Sequence, residues 1–88
     1  MLTVIKKDNT TEEFIDDKIV DAVKKAAFRC DTQIDEAGLA RIVDEVRARL
    51  DGREDVSVLE LHELVIAVLS AQQHKQVAEA YAEYRYYK

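Results

Sequence analysis

The chain has no proline, no tryptophan, two glycines and a single cysteine among its 88 residues. Without proline and with so little glycine, no stretch reads as a linker or a low-complexity segment, and a disordered tail is a poor description of the composition. Cys30 alone excludes an intramolecular disulfide, and His62 and His74, twelve residues apart, do not form a metal-ligand spacing. No structural metal is therefore expected. The longest apolar run, Leu64 to Leu69, falls far short of the roughly 20 residues a membrane span needs. The first nine residues also lack the apolar segment of a signal peptide, so a cytoplasmic location is expected. Catalytic constellations are missing as well: there is no supported Ser/His/Asp or Cys/His arrangement and no glycine-rich phosphate loop. The adjacent pair Asp16 and Asp17 reads as helix-start chemistry, and the chain is not expected to be an enzyme.

What is present is a dense mixture of apolar and charged residues, 48% hydrophobic and 35% charged. A single domain of this size buries only about 60–65% of its unfolded surface, so most apolar stripes must serve the core. The net charge of −5 opposes nucleic-acid binding, which needs a basic face to displace counterions. The charge is uneven, however. Residues 1–29 hold six bases against six acids, whereas the other 59 residues hold seven bases against twelve acids. An anion would bind in the lysine-dense first third.

The patterning predicts the order β-β-α-α-β-α-α. Leu2 to Lys7 and Thr10 to Phe14 flank Asp8-Asn9 and read as a hairpin over about 2–14, closed by a two-residue turn at Asn9. Asp16 or Asp17 would cap a first helix, about 16–29, with apolar positions Ile15, Ile19, Ala22, Val23, Ala26 and Ala27. Asp35 opens a second helix, about 35–50, stopped by Asp51-Gly52. A short β-branched strand at about 56–58 precedes helices at about 59–72 and 75–87, the last carrying Val77, Ala80, Tyr81 and Tyr84 inward. The expected fold class is α+β, mainly α: a four-helix bundle capped by a small three-stranded sheet.

Lys6 and Lys7, neighbours on a strand, should point to opposite faces and grip one phosphate only if the hairpin curls over it. Lys18 falls in the first turn of the first helix, where backbone N–H groups also attract anions. On spacing alone these lysines are a solvated face. Glu12 is a surface acid unless it lies near a ribose or an exocyclic amine, whose hydrogen bonds a carboxylate accepts. His62 reads as a half-exposed histidine with one local hydrogen bond, or as a contact to a base or phosphate. His74 reads as turn chemistry. Tyr81 and Tyr84 close the bundle, while Tyr86 and Tyr87 stay open to a partner.

Two stretches together, "VIKKDNTTEEFIDDKIVDAVKKA" from Val4 and "KQVAEAYAEYR" from Lys75, resemble the ATP-cone, the regulatory nucleotide-binding domain found at the N-terminus of many ribonucleotide reductases. The resemblance spans nearly the whole chain and implies the same capped four-helix bundle, with ATP or dATP under the hairpin and Mg2+ accompanying it. It implies that Val4 and Ile5 line the base or sugar region, that Lys6, Lys7, Lys18 and Lys88 approach the phosphates, and that Glu12 meets the base or ribose. His62 would lie at the sugar, and Ser57 would supply a hydroxyl. The implied partners are a reductase catalytic domain or another cone, with no direct nucleic acid and no membrane. "GREDVSV" and "HKQVAEAYAEYR" look most like the anaerobic reductase class. The chain carries only the regulatory portion, as an excised domain or a free-standing cone.

The chain departs from the family pattern at Lys7 (usually Arg), Asn9 (usually Gly), Ile15 (often polar) and Val58 (often a hydroxyl). Each lost polar contact costs on the order of 1 kcal/mol, enough together to weaken binding about tenfold or more. Two other readings therefore stand beside the sensor: a structural or oligomerisation module that kept the bundle, and the cone of a repressor of reductase genes.

Overall fold

A computed structural model describes residues 2–83. The expectations placed on Tyr84, Arg85, Tyr86, Tyr87 and Lys88 lie outside the described residues. Strands β1 (Thr3–Ile5) and β2 (Thr11–Glu13) lead into helices α1 (Asp16–Arg29) and α2 (Glu36–Arg49); β3 (Asp55–Ser57) then precedes α3 (Val58–Ala71) and α4 (Lys75–Glu83). The fold is mainly helical, with a small mixed sheet of order β2-β1-β3. β1 is central, antiparallel to β2 and parallel to β3, and Val4 is opposite both Glu12 and Val56. The third strand and α3 each start one residue earlier than the sequence suggested, because Ser57 caps α3 and so releases Val58 into the helix.

The helical stripes pack as their period requires. Leu39, Ile42, Val43 and Val46 of α2, Val65, Val68 and Leu69 of α3, and Val77 and Tyr81 of α4 meet Val23, Ala26 and Ala27 of α1 in one buried core that also takes in Val56. α4 packs against both α1 and α3, and α2 packs against α1 and α3. The sheet closes one end of this bundle. Fully buried aliphatic side chains of this kind each stabilise the fold by about 1.5–3 kcal/mol before entropy is subtracted.

Helix ends follow local chemistry. The carboxylate of Asp35 accepts from the Gly38 N–H at 2.8 Å, and the Ser57 hydroxyl accepts from the Glu60 N–H at 3.1 Å. A Cβ at Gly38 would come within 2.7 Å of Ile34 Cγ2, so a larger residue there would require the Ile34 side chain to shift. α1 and α3 stop at residues in the left-handed region, Asp31 (φ 56°) and Gln73 (φ 67°). In both, the next N–H reaches back into the last turn, Thr32 to the Ala27 carbonyl and His74 to that of Leu69. His74 is thus the turn residue it was read to be.

Four local expectations need correction. The hairpin turn is not two residues long: Asn9 N–H bonds the Lys6 carbonyl and Lys6 N–H bonds the Thr10 carbonyl, so the loop is Lys7 to Asn9 with Asn9 left-handed at φ 70°. Neither Asp16 nor Asp17 caps α1. The N-cap is Ile15, which has no capping side chain, and Asp16 instead accepts from Arg47 Nε on α2 at 2.6 Å. Ile15 is 45% exposed rather than part of the core stripe. His62 is not half-exposed but buried, at 7% exposure, one position past Leu61 on the inner side of α3.

Candidate functional site

Period-2 geometry selects which hairpin residues share a face. Val4 and Glu12 are directly opposed across the β1/β2 ladder, so their side chains leave the sheet on one side, with Lys6 and Phe14 two residues further on and Ile5 on the other side. That side overhangs a cavity of about 730 Å³ bounded by the hairpin, α1, the start of α3 and α4. From α1 it is lined by Ile15, Lys18, Ile19, Ala22 and Lys25, the i, i+3, i+4, i+7 spacing of one helix face. Val58, Leu61 and Tyr81 complete the wall. Val4, Phe14, Ile19, Leu61 and Tyr81 are all buried, so the floor is apolar and aromatic.

The rim is charged and balanced. Four ammonium groups line the cavity (Lys6, Lys7, Lys18 and Lys25), and so do four carboxylates (Asp8, Glu12, Glu13 and Asp21). Glu12 Oε2 accepts a hydrogen bond from Lys18 Nζ at 2.8 Å and lies 3.4 Å from Lys6 Nζ. The Lys18 hydrogen bond holds the Glu12 carboxyl below its ordinary range, with the charges of Lys18 and Lys6 adding to the effect against partial desolvation. Asp8 is turned inward on the loop: its Oδ1 accepts from the Thr10 hydroxyl at 2.6 Å and the Thr10 N–H at 3.1 Å. The hydroxyl bond is the main reason its carboxyl also lies below the usual range.

Both Lys6 and Lys7 face this cavity, contrary to the alternation expected of strand neighbours. The reason is that Lys6, still paired with Thr10, keeps the face of Val4, whereas Lys7 opens the three-residue loop, where the two-residue period no longer applies. Of the residues singled out in the sequence, Val4, Lys6, Lys7, Glu12 and Lys18 come together on the cavity wall. Ile5 and Ser57 do not line it, and the Ser57 hydroxyl is engaged in capping α3. His62 stands behind the wall, its ring stacked on Tyr81 with centroids 5.1 Å apart. Lys88 lies outside the described residues.

Sequence reasoning did not assign Phe14, Ile19, Ala22, Lys25, Leu61 or Tyr81 to the site. Two signals were available: Phe14 is two residues from Glu12, and Lys25 and Ala22 repeat the spacing of Lys18 along α1. The hairpin is held over this face by Arg47, which bonds Asp16 at the start of α1 and places its guanidinium 4.9 Å from the centroid of the Phe14 ring.

The cavity's volume falls in the range of small-molecule and cofactor sites, and an apolar floor under a few polar groups is their usual make-up. Among the described residues no group of three or more His, Cys, Asp or Glu is placed to hold a metal ion. A magnesium ion here would arrive with the phosphates of its ligand, the mode in which this ion usually binds. No helix among the described residues is long and apolar enough to cross a membrane.

No curated protein matches the chain in sequence. Residues 2–88 match the family described as the ATP cone domain, which is nearly the full length. The chain therefore belongs to the ATP-cone family, regulatory and non-catalytic domains that bind ATP or dATP.

Proposed function

We propose that this chain is the nucleotide-sensing part of a ribonucleotide reductase, taking ATP or dATP with Mg2+ in the cavity under the hairpin. The observation that carries the site is the convergence of Lys6, Lys7 and Lys18 on the rim of a 730 Å³ cavity whose floor is Val4, Phe14, Ile19, Leu61 and Tyr81. The nucleoside packs on the apolar floor, whose buried Tyr81 and Phe14 rings back it. The phosphates lie at the lysines. Glu12 accepts from the base or ribose, an acceptor-only group suited to hydroxyl and amine donors. His62 supports the site through its stack on Tyr81.

Control of the enzyme follows from linkage. A nucleotide changes activity only by binding one assembly state better than another, and the states here are associations of the cone with the reductase catalytic domain or with a second cone. ATP favours the active association and dATP the inhibited one. The "GREDVSV" stretch around β3 supports the anaerobic reductase class.

Calorimetric titration of ATP and dATP with magnesium into the protein, and into a Lys6→Ala, Lys18→Ala double variant, tests the site. Micromolar binding lost in the double variant is the expected result. Absence of heat with the unaltered protein, together with amide resonances unshifted at millimolar nucleotide, would remove the sensor function.

A further inference from the structure

We propose that Glu12 makes the nucleotide site selective against phosphate chains that carry no nucleoside, because its carboxylate fills the place between Lys6 and Lys18 that a phosphate would take. This rests on the reading of the cavity as a nucleotide site. One oxygen, Oε2, is 2.8 Å from Lys18 Nζ and 3.4 Å from Lys6 Nζ, so a single carboxylate bridges these two ammoniums and offsets one of their two charges. Register holds it there: Glu12 is opposite the buried Val4, and Phe14, two residues on, anchors the strand in the floor.

An arriving anion meets no surplus of positive charge, since the four lysines of the rim are matched by four acids. To take the bridging position between Lys6 and Lys18 it must displace Glu12. The displaced carboxylate then stands beside the phosphate without its ammonium partners, a like-charge contact that opposes binding. Inorganic tripolyphosphate brings only acceptors and offers Glu12 nothing in return. A nucleotide brings ribose hydroxyls and, on adenine, an exocyclic amine, all donors that a carboxylate accepts. Displacement is therefore compensated for nucleotides alone.

The neighbouring Glu13 provides the control. It lines the same cavity, but its register partner is Thr3 at the strand end, and the carboxylate between Lys6 and Lys18 is that of Glu12. Removing its charge alters the general field of the rim without vacating the position between the lysines.

The experiment titrates magnesium-free sodium tripolyphosphate and ATP into the unaltered protein, Glu12→Gln and Glu13→Gln. Glu12→Gln is expected to bind tripolyphosphate about tenfold tighter than the unaltered protein, the effect of releasing one charge-assisted hydrogen bond, while ATP gains much less. The preference for ATP over tripolyphosphate then collapses in Glu12→Gln and persists in Glu13→Gln. If ATP binds but tripolyphosphate affinity is unchanged in Glu12→Gln, or rises equally in both variants, Glu12 is not the competitor. If neither ligand binds any of the three proteins, the nucleotide-site reading falls and this inference with it.

Discussion

The ring of His62 lies against that of Tyr81, centroids 5.1 Å apart and planes 26° apart, so a buried residue of α3 supports the aromatic side chain that α4 presents to the cavity. The pair joins the core to the site. Tyr81 is 2% exposed, and truncation to alanine removes both the stacking contact and part of the cavity wall. Tyr81→Ala should cost about 3–5 kcal/mol, the range for large aromatic truncations, whereas Tyr81→Phe keeps the ring and should cost far less. Urea unfolding of both variants measures this. Equal losses would mean that the hydroxyl, not the ring, carries the contact.

Ile15 sits at the N-cap of α1 with extended backbone (φ −124°, ψ 122°) and no side chain to accept from the first turn. An amide oxygen there would do what the isoleucine cannot. Ile15→Asn should stabilise the fold by about 0.5–1 kcal/mol net, since capping contributes about 1 kcal/mol and the isoleucine, already 45% exposed, gives up little burial. Because Ile15 also lines the cavity, the same substitution places a hydrogen-bonding group beside the ligand. Chemical denaturation should show a higher midpoint at an unchanged slope. A lower midpoint would show that Ile15 contributes more by packing against the hairpin than a cap can replace.

Much of the bundle was legible because a 3.6-residue period survives any detail of packing: Ile42, Val46, Val65, Val68 and Val77 stand where the stripes put them, all buried. The sheet edge was less so. Strand alternation predicts opposite faces for Lys6 and Lys7, but that rule lapses at Lys7, where the loop of Lys7 to Asn9 begins, and two hydrogen bonds at Lys6 set that boundary. Asp16 looked like a cap because acids favour helix starts; a long-range bond to Arg47, 31 residues away, claimed it instead. His62 was misplaced for a related reason. Its neighbour on α4, Tyr81, is 19 residues further along the chain, and no local pattern announces a stacked pair. The cavity itself was visible as its lysines and, through the family resemblance, as Val4 and Glu12, while the rest of its floor is shared with the core and reads as core.

Ser57 separates a structural role from a ligand role. Its hydroxyl accepts from Glu60 N–H at 3.1 Å, while the Glu60 carboxylate is bound by both terminal nitrogens of Arg53 at 2.8 and 2.9 Å. Ser57→Ala should destabilise the domain by about 1 kcal/mol, and Ser57→Asp should restore most of that, as capping residues exchange for one another. ATP affinity should be nearly constant across the three proteins once measured well below their melting temperatures. A selective loss of affinity in Ser57→Ala, with stability intact, would place the hydroxyl on the ligand.

Acid sensitivity should reveal the Glu12 bridge in the absence of any ligand. The carboxyl of Glu12 is held below its ordinary value of 4.5 chiefly by the Lys18 hydrogen bond. A group whose folded value is depressed contributes stability that is present above the unfolded value and is lost as pH falls through the folded one. Asp8 and Glu60 are shifted the same way, by Thr10 and Arg53, so the raw pH profile mixes three groups. The difference between the unaltered protein and Glu12→Gln isolates one of them. That difference should be constant above about pH 5.5, at most about 1 kcal/mol for a pair so open to solvent, and should shrink below 4.5 as the carboxyl protonates. Repeating the pair of measurements on a Lys18→Gln background should flatten most of the dependence, because the ammonium that depresses Glu12 is gone. A difference that grows as the pH falls would have the wrong sign for a carboxylate stabilised in its charged form, and would mean that the bridge between β2 and α1 does not form in solution.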